Sequence, residues 1–263
     1  MTLEEFVDQN ENIVIYGAGS IAQRFYGDLV KKGLDYKVIG FGVTKSMEYS
    51  GVMGKPVKGI LEYPKEYGIA IAVHNVIYDE MRLYLEHHEY SKYYWVFPEL
   101  FDFHYGKPVV KDALINVRKL VKSIENSYSH VVYLLAIEEV ATGNNSVGIG
   151  LYNKYMRSFC NKSTADKRTE SFINRINNYL ADDSIEQFNI KVNSKRTFVL
   201  DGAHRLMLAY FFQKETIGAD VYETQDEEYL FLGKCCLTKE RLQSVYSQEE
   251  VEIVESKYRE ILI

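Results

Sequence analysis

With 263 residues, the chain can bury one large core or two modest ones, and its hydrophobic share of 46% is that of a globular protein. Its 31 basic and 37 acidic side chains leave a net charge of −6, so for want of positive excess nucleic acid is not expected as a partner. No apolar run reaches the ~18–20 residues that cross a bilayer, and the acidic start, Met1-Thr2-Leu3-Glu4-Glu5, lacks the basic and apolar regions of a signal peptide. A cytoplasmic protein with no membrane partner is expected. Cys160, Cys235 and Cys236 are odd in number and lack metal spacing, which speaks against disulfides and zinc and for reduced thiols.

In chain order, Ile13-Val14-Ile15-Tyr16 reads as a short strand and runs directly into Gly17-Ala18-Gly19-Ser20-Ile21-Ala22. Helical spacing of Ile21, Phe25 and Leu29 follows, which gives G-x-G-x-x-A in a strand–turn–helix setting. Gly17 would permit the tight turn, Gly19 the approach of a ligand, and Ala22 close packing of helix on strand. With Ser20, these glycines mark a candidate ligand turn at a helix N-terminus, where free N–H groups attract anions. A turn kept only for packing is the bland alternative. Strands are expected at 37–43, 69–73 and 94–97, with a helix over 77–88, an alternation that gives parallel strands with helical crossovers. The second strand ends Phe41-Gly42-Val43-Thr44, without the acid that grips ribose hydroxyls in dinucleotide sites.

Four matches occur in one order: Tyr16-Gly17-Ala18-Gly19, Gly40-Phe41, Gly54-Lys55-Pro56-Val57 and Ile69-Ala70-Ile71-Ala72. In this the first 100 or so residues resemble the Rossmann-like domain of bacterial sugar acyltransferases and other surface-polysaccharide enzymes. The resemblance implies a nucleotide- or sugar-nucleotide-binding domain over residues 1–105.

In the second half, Phe103 to Lys122 reads as a connector plus a helix carrying Leu114, Val117, Leu120 and Val121. Val131 to Ile137 reads as a strand ending at Glu138-Glu139, where the two carboxylates would face opposite ways. A helix is expected over 168–180 from the spacing of Phe172, Ile173, Ile176 and Leu180. The most informative stretch is the apolar Phe198-Val199-Leu200 before Asp201-Gly202-Ala203-His204-Arg205 and a second helical run. Asp201 is expected as N-cap, and Gly202 as the residue that takes any strained backbone. Basic His204 and Arg205 in a first turn conflict with the helix dipole unless an anion docks there. Arg205 could grip a phosphate with its fork, and His204 could donate to it.

Leu200-Asp201-Gly202-Ala203-His204-Arg205-Leu206, some way after the run ending Ile137-Glu138-Glu139, resembles the ParB/sulfiredoxin superfamily, free-serine-kinase-like branch. The later Lys214 to Tyr222 fits that family's closing strand. The resemblance covers about residues 128–224 and implies a ParB/sulfiredoxin-like α+β domain within 106–263. It also implies binding of ATP, ADP or CTP with Mg²⁺ at Asp201, Gly202, Ala203, His204 and Arg205. In the serine-kinase branch a carboxylate near the end of the first strand is the base, which by position falls on Glu138 or Glu139. Ala203 stands where the reductase members carry their cysteine, so sulfiredoxin chemistry is not expected.

The remaining candidates are plainer. His87-His88-Glu89 are adjacent rather than on one helix face, so no metal site is expected. Cys235-Cys236 read as buried strand, Arg157 as a lone cationic candidate, and 249–261 as an acidic helix for packing or a homodimer surface. The expected function is a nucleotide-binding phosphotransferase acting on a small hydroxyl compound, as in surface-polysaccharide biosynthesis. A noncatalytic nucleotide or nucleotide-sugar-binding protein is the first alternative and an NAD(P)-dependent oxidoreductase the second.

Overall fold

A computed structural model of the chain describes residues 1–44, 51–124, 128–144, 146–182, 189–224 and 237–262. It divides into two compact units, residues 1–107 and 108–263, each with its own sheet. No helix among the described residues is long and apolar enough to cross a membrane.

The first unit opens with α1 (Leu3–Gln9), started by a capping box in which the Thr2 hydroxyl accepts from the Glu5 N–H and the Glu5 carboxylate accepts from the Thr2 N–H. Then come β1 (Ile13–Tyr16), α2 (Ser20–Lys31), β2 (Val38–Val43), β3 (Val57–Gly59), β4 (Gly68–Ile71), α3 (Asn75–His87), β5 (Tyr93–Trp95) and α4 (Leu100–Tyr105). The five strands are all parallel in the order β3-β2-β1-β4-β5. Every residue of β1 and β4 is buried, as a parallel sheet covered on both faces requires, so these strands read as unbroken apolar runs. The strands and α3 lie within two residues of their expected ends. The three-residue edge strand β3 carried no pattern long enough to read. A buried polar tie joins α2 to α4: His104 Nδ1 lies 2.6 Å from Asp28 Oδ1, and Arg24 reaches the other ring nitrogen.

The second unit contains β6 (Val110–Asn116), α5 (Val117–Ser123), α6 (Tyr128–Thr142), α7 (Gly148–Arg157), α8 (Lys162–Asp182), β7 (Ile190–Asn193), β8 (Val199–Asp201), α9 (Ala203–Phe211), β9 (Thr216–Tyr222), α10 (Lys239–Val245) and α11 (Gln248–Leu262). Its sheet runs β6-β9-β7-β8, with β7 and β9 parallel and both outer pairs antiparallel.

Three expectations are corrected here. Val131 to Ile137 is no strand but the middle of α6, buried at every one of those positions. A helix enclosed on all sides has no polar face, so the 3.6-residue period that would reveal it is missing. The stretch read as one helix through Leu114 splits instead. Leu114 sits on edge strand β6, 74% exposed, and the helix starts only after Asn116, whose side chain caps it by accepting from the Lys119 N–H. Third, Asp201 ends β8, and the N-cap of α9 is Gly202. The expected helices at 168–180 and 249–261 lie inside α8 and α11. The expected strand around Cys235 and Cys236 lies outside the described residues.

Candidate functional site

In the first unit, the centre of the sheet is also where the chain reverses direction across it: β1 leads outward to β2 and β3, and the chain then returns to β4 on the other flank of β1. Ligands of open parallel sheets bind beyond the carboxyl ends of the strands at such a point. Gly17 occupies it with φ of 121°, and a Cβ there would press on the Ala72 carbonyl at 3.0 Å and on Val73 at 3.1 Å. The fold alone therefore demands Gly17. Gly19 differs: its φ is −80°, it is exposed, and a Cβ added to it would meet nothing within 4 Å. It is the N-cap of α2 and, having no side chain, makes no cap bond of its own. Ser20 opens the first turn, exposed, while Ala22 is fully buried against the sheet. The Gln23 amide braces the turn by donating to the Ala18 carbonyl at 3.0 Å.

At the end of β2, Thr44 stands where a dinucleotide site wants its acid. Its hydroxyl lies 2.7 Å from that of Tyr16. Burial pushes the Tyr16 phenol up to about 12 against the lowering effect of this bond, so Tyr16 stays neutral.

The second unit brings Asp201, Gly202, Ala203, His204 and Arg205 together at the junction of β8 and α9. Gly202 has φ of 91° and ψ of 20°, and a Cβ there would lie 2.7 Å from Ile190 Cγ2 and 2.9 Å from Arg205 Nη2. Only glycine fits. As the N-cap of α9 it makes no side-chain cap bond of its own. Arg205 is buried, and its guanidinium is 3.5 Å from Asp201 Oδ2, so the chain's own carboxylate meets part of the charge conflict read from the sequence. The Asp201 side chain remains 39% exposed at this junction.

His204 turns away into aromatic surroundings that spacing could not have revealed, because they come from three other helices. Its Nε2 lies 3.1 Å from the Tyr152 hydroxyl, and the rings of Tyr133 and Phe172 each stand 4.3 Å from its own. Burial holds the Tyr152 phenol well above its ordinary value, so that oxygen keeps its proton.

Glu138 and Glu139 lie on α6, near its end. Glu138 is 2.5 Å from the Lys257 ammonium of α11. Burial pulls Lys257 down, but its bonds to Glu138 and Glu260 outweigh this and raise it. Glu139 accepts from the Ile149 N–H at 2.7 Å, serving as the missing cap of α7, whose own N-cap is Val147. Each carboxylate thus has a structural partner.

The chain matches no family model, no curated protein and no solved structure.

Among the described residues, no three His, Cys, Asp or Glu side chains gather as a metal set. A nucleotide's Mg²⁺ is usually held by phosphates and water, and Asp201 is the carboxylate that the second unit's turn offers it.

Proposed function

We propose that the protein binds a nucleotide or nucleotide sugar, with the phosphates seated against the Gly17–Ser20 turn of a Rossmann-like first unit. One observation carries this reading: Gly19 is required neither by its backbone angles nor by any neighbour among the described residues. Absence of a side chain there leaves room for something arriving from outside, and what it would meet is the electropositive start of α2. The lack of an acid after β2 favours ligands not gripped through the adenosine ribose, so NAD(P)-dependent oxidoreduction ranks below nucleotide binding.

Calorimetric titration of the intact chain with ATP, CTP, UDP, UDP-sugars and NADH tests it. Ser20→Glu gives the decisive contrast. A carboxylate in the first turn stabilises the helix by about 0.3–1 kcal/mol yet repels a phosphate, so this variant should melt no lower than the parent and lose at least tenfold in nucleotide affinity. Equal affinity in parent and variant would refute the site.

A second reading, phosphoryl transfer from a nucleotide to a small hydroxyl compound by a ParB/sulfiredoxin-like second unit, is favoured by the glycine-only turn before α9 with Arg205 beside it. Since Glu138 and Glu139 each hold another element in place, the base in this reading falls to Asp201. Turnover assays with Mg-ATP or Mg-ADP and free serine as acceptor test it, Asp201→Asn being inactive and Glu138→Gln active if it is right.

A further inference from the structure

Beyond the carboxyl ends of β4 and β5, on the flank of the first sheet away from β2, aromatic rings gather. Trp95 ends β5, and Tyr78 of α3 stacks on it with ring centres 4.2 Å apart and planes 15° apart. Phe97, two residues on, stands 6.5 Å from Trp95 and 5.1 Å from the ring of His74, the N-cap of α3. The indole N–H donates to the Val73 carbonyl at 3.1 Å, which fixes the Trp95 ring. Val73 is also the residue whose side chain crowds the space beside Gly17. One residue therefore links the aromatic set to the Gly17–Ser20 turn.

Ordinary packing accounts for part of this. Tyr78 and Trp95 belong to the apolar cluster under α3, and β5 is an edge strand, where thinner cover is expected. Packing alone does not explain how open the corner stays. α2 fully buries Ala22, Phe25, Tyr26, Asp28 and Leu29, whereas of the described residues of α3 Leu85 alone is fully buried. Ile77, Tyr78, Met81, Trp95 and Phe97 are all only half-buried. Large aromatic rings gain most from complete burial, and here the chain's one tryptophan stops short of it beside the turn. On the opposite flank, the end of β2 offers a nucleoside little. It has no acid for the ribose hydroxyls, and the Thr44 hydroxyl is bonded to that of Tyr16.

We propose that the bound nucleotide runs from the Gly17–Ser20 turn toward β5, with a purine base packed against Trp95 and Phe97, and not toward β2 as in dinucleotide sites. This rests on the phosphate reading above and adds to it the ligand's direction and base class. Every base has a π-face that stacks on an aromatic side chain, and the two-ring purines present the larger one. Trp95 is held in place before the ligand arrives, by Tyr78 against its ring and Val73 at its N–H, so little freedom is lost on binding.

Titration of the full chain with ADP, UDP and inorganic pyrophosphate tests this, read by calorimetry and by the fluorescence of Trp95, the single tryptophan. ADP should quench that fluorescence and bind about threefold or more tighter than UDP, while pyrophosphate binds without quenching. Phe97→Leu should raise the Kd of ADP about fivefold or more, the loss of one base–aromatic contact, and leave that of pyrophosphate unchanged. Trp95→Leu should do the same; if it fails to fold by circular dichroism, Phe97→Leu decides. Thr44→Val, at the end of β2, should leave the ADP affinity unchanged. Ser20→Glu should weaken ADP and pyrophosphate alike. If neither ADP nor pyrophosphate binds, the phosphate reading falls and takes the purine seat with it. If pyrophosphate binds and Ser20→Glu weakens it, the turn stands by itself. The purine seat is then overturned by UDP binding as tightly as ADP, by bound ADP that leaves Trp95 fluorescence unchanged, or by Thr44→Val weakening ADP more than Phe97→Leu does.

Discussion

Three glycines illustrate how far single residues could be read. Gly17 and Gly202 stand at positive φ with neighbours pressing on the space of a side chain, and both were legible as turn glycines because each follows an apolar strand and precedes a helix. Gly19 belongs to the same sequence pattern, yet its reason is different, and only the folded structure separates the two. This predicts a dissociation. Gly17→Ala should cost about 1–3 kcal/mol of stability through forced left-handed backbone, measured by urea unfolding. Gly19→Ala should cost under about 1 kcal/mol, the difference between two N-cap residues, while weakening nucleotide binding. If both variants lose stability alike, Gly19 is a packing glycine and the proposed ligand turn loses its support. The surroundings of His204 were illegible for another reason: Tyr133, Tyr152 and Phe172 lie on α6, α7 and α8, and sequence spacing encodes neighbours within an element, not across three of them.

At the scale of elements, legibility followed exposure. The helices α2, α8 and α11 each keep a wet face and showed their period, and β1 and β4 are apolar runs too short for a helix. α6 shows neither signal, being apolar through Val131 to Ile137, and β-branched Val131, Val132 and Ile137 drew it toward the strand reading. What keeps it helical is tertiary. Gly148, at the start of α7, comes so close that a Cβ would stand 2.2 Å from the Leu135 carbonyl oxygen. Gly148→Ala must therefore push the two helices apart, at about 1–3 kcal/mol or more, with a lower denaturation midpoint as the readout. The same junction is pinned from the other side by Glu139, which caps α7 across the gap. Glu139→Ala should cost about 1 kcal/mol, and Glu139→Gln, which still accepts a hydrogen bond, distinctly less. If the glutamine variant falls as far as alanine, the cap is not what Glu139 contributes.

At the scale of the whole molecule, the unusual feature of the composition is its 22 tyrosines, which the sequence offered only as filler. The structure gives them a collective consequence. Burial is the leading cause of a raised phenol in both units: Tyr16 at about 12, with Tyr94, Tyr152 and Tyr246 also displaced well upward. A phenol with a higher pKa folded than unfolded holds its proton more tightly in the native state. Its contribution is complete below the unfolded value of about 10 and is lost as pH rises through the folded value. Lys257, raised on balance by Glu138 and Glu260, acts in the same direction. Stability should therefore be flat from neutral pH to about 9, fall steeply between 10 and 12, and vanish in a transition where tyrosinate absorbance and loss of helical circular dichroism coincide. Tyr16→Phe keeps the ring and removes the ionising group, and it forfeits the Thr44 bond in exchange. That variant should be slightly less stable than the parent at neutral pH and lose less of its stability between pH 10 and 12. Tyrosines that titrate freely near pH 10, well before the secondary structure melts, would mean that these phenols are reached by water in the native state.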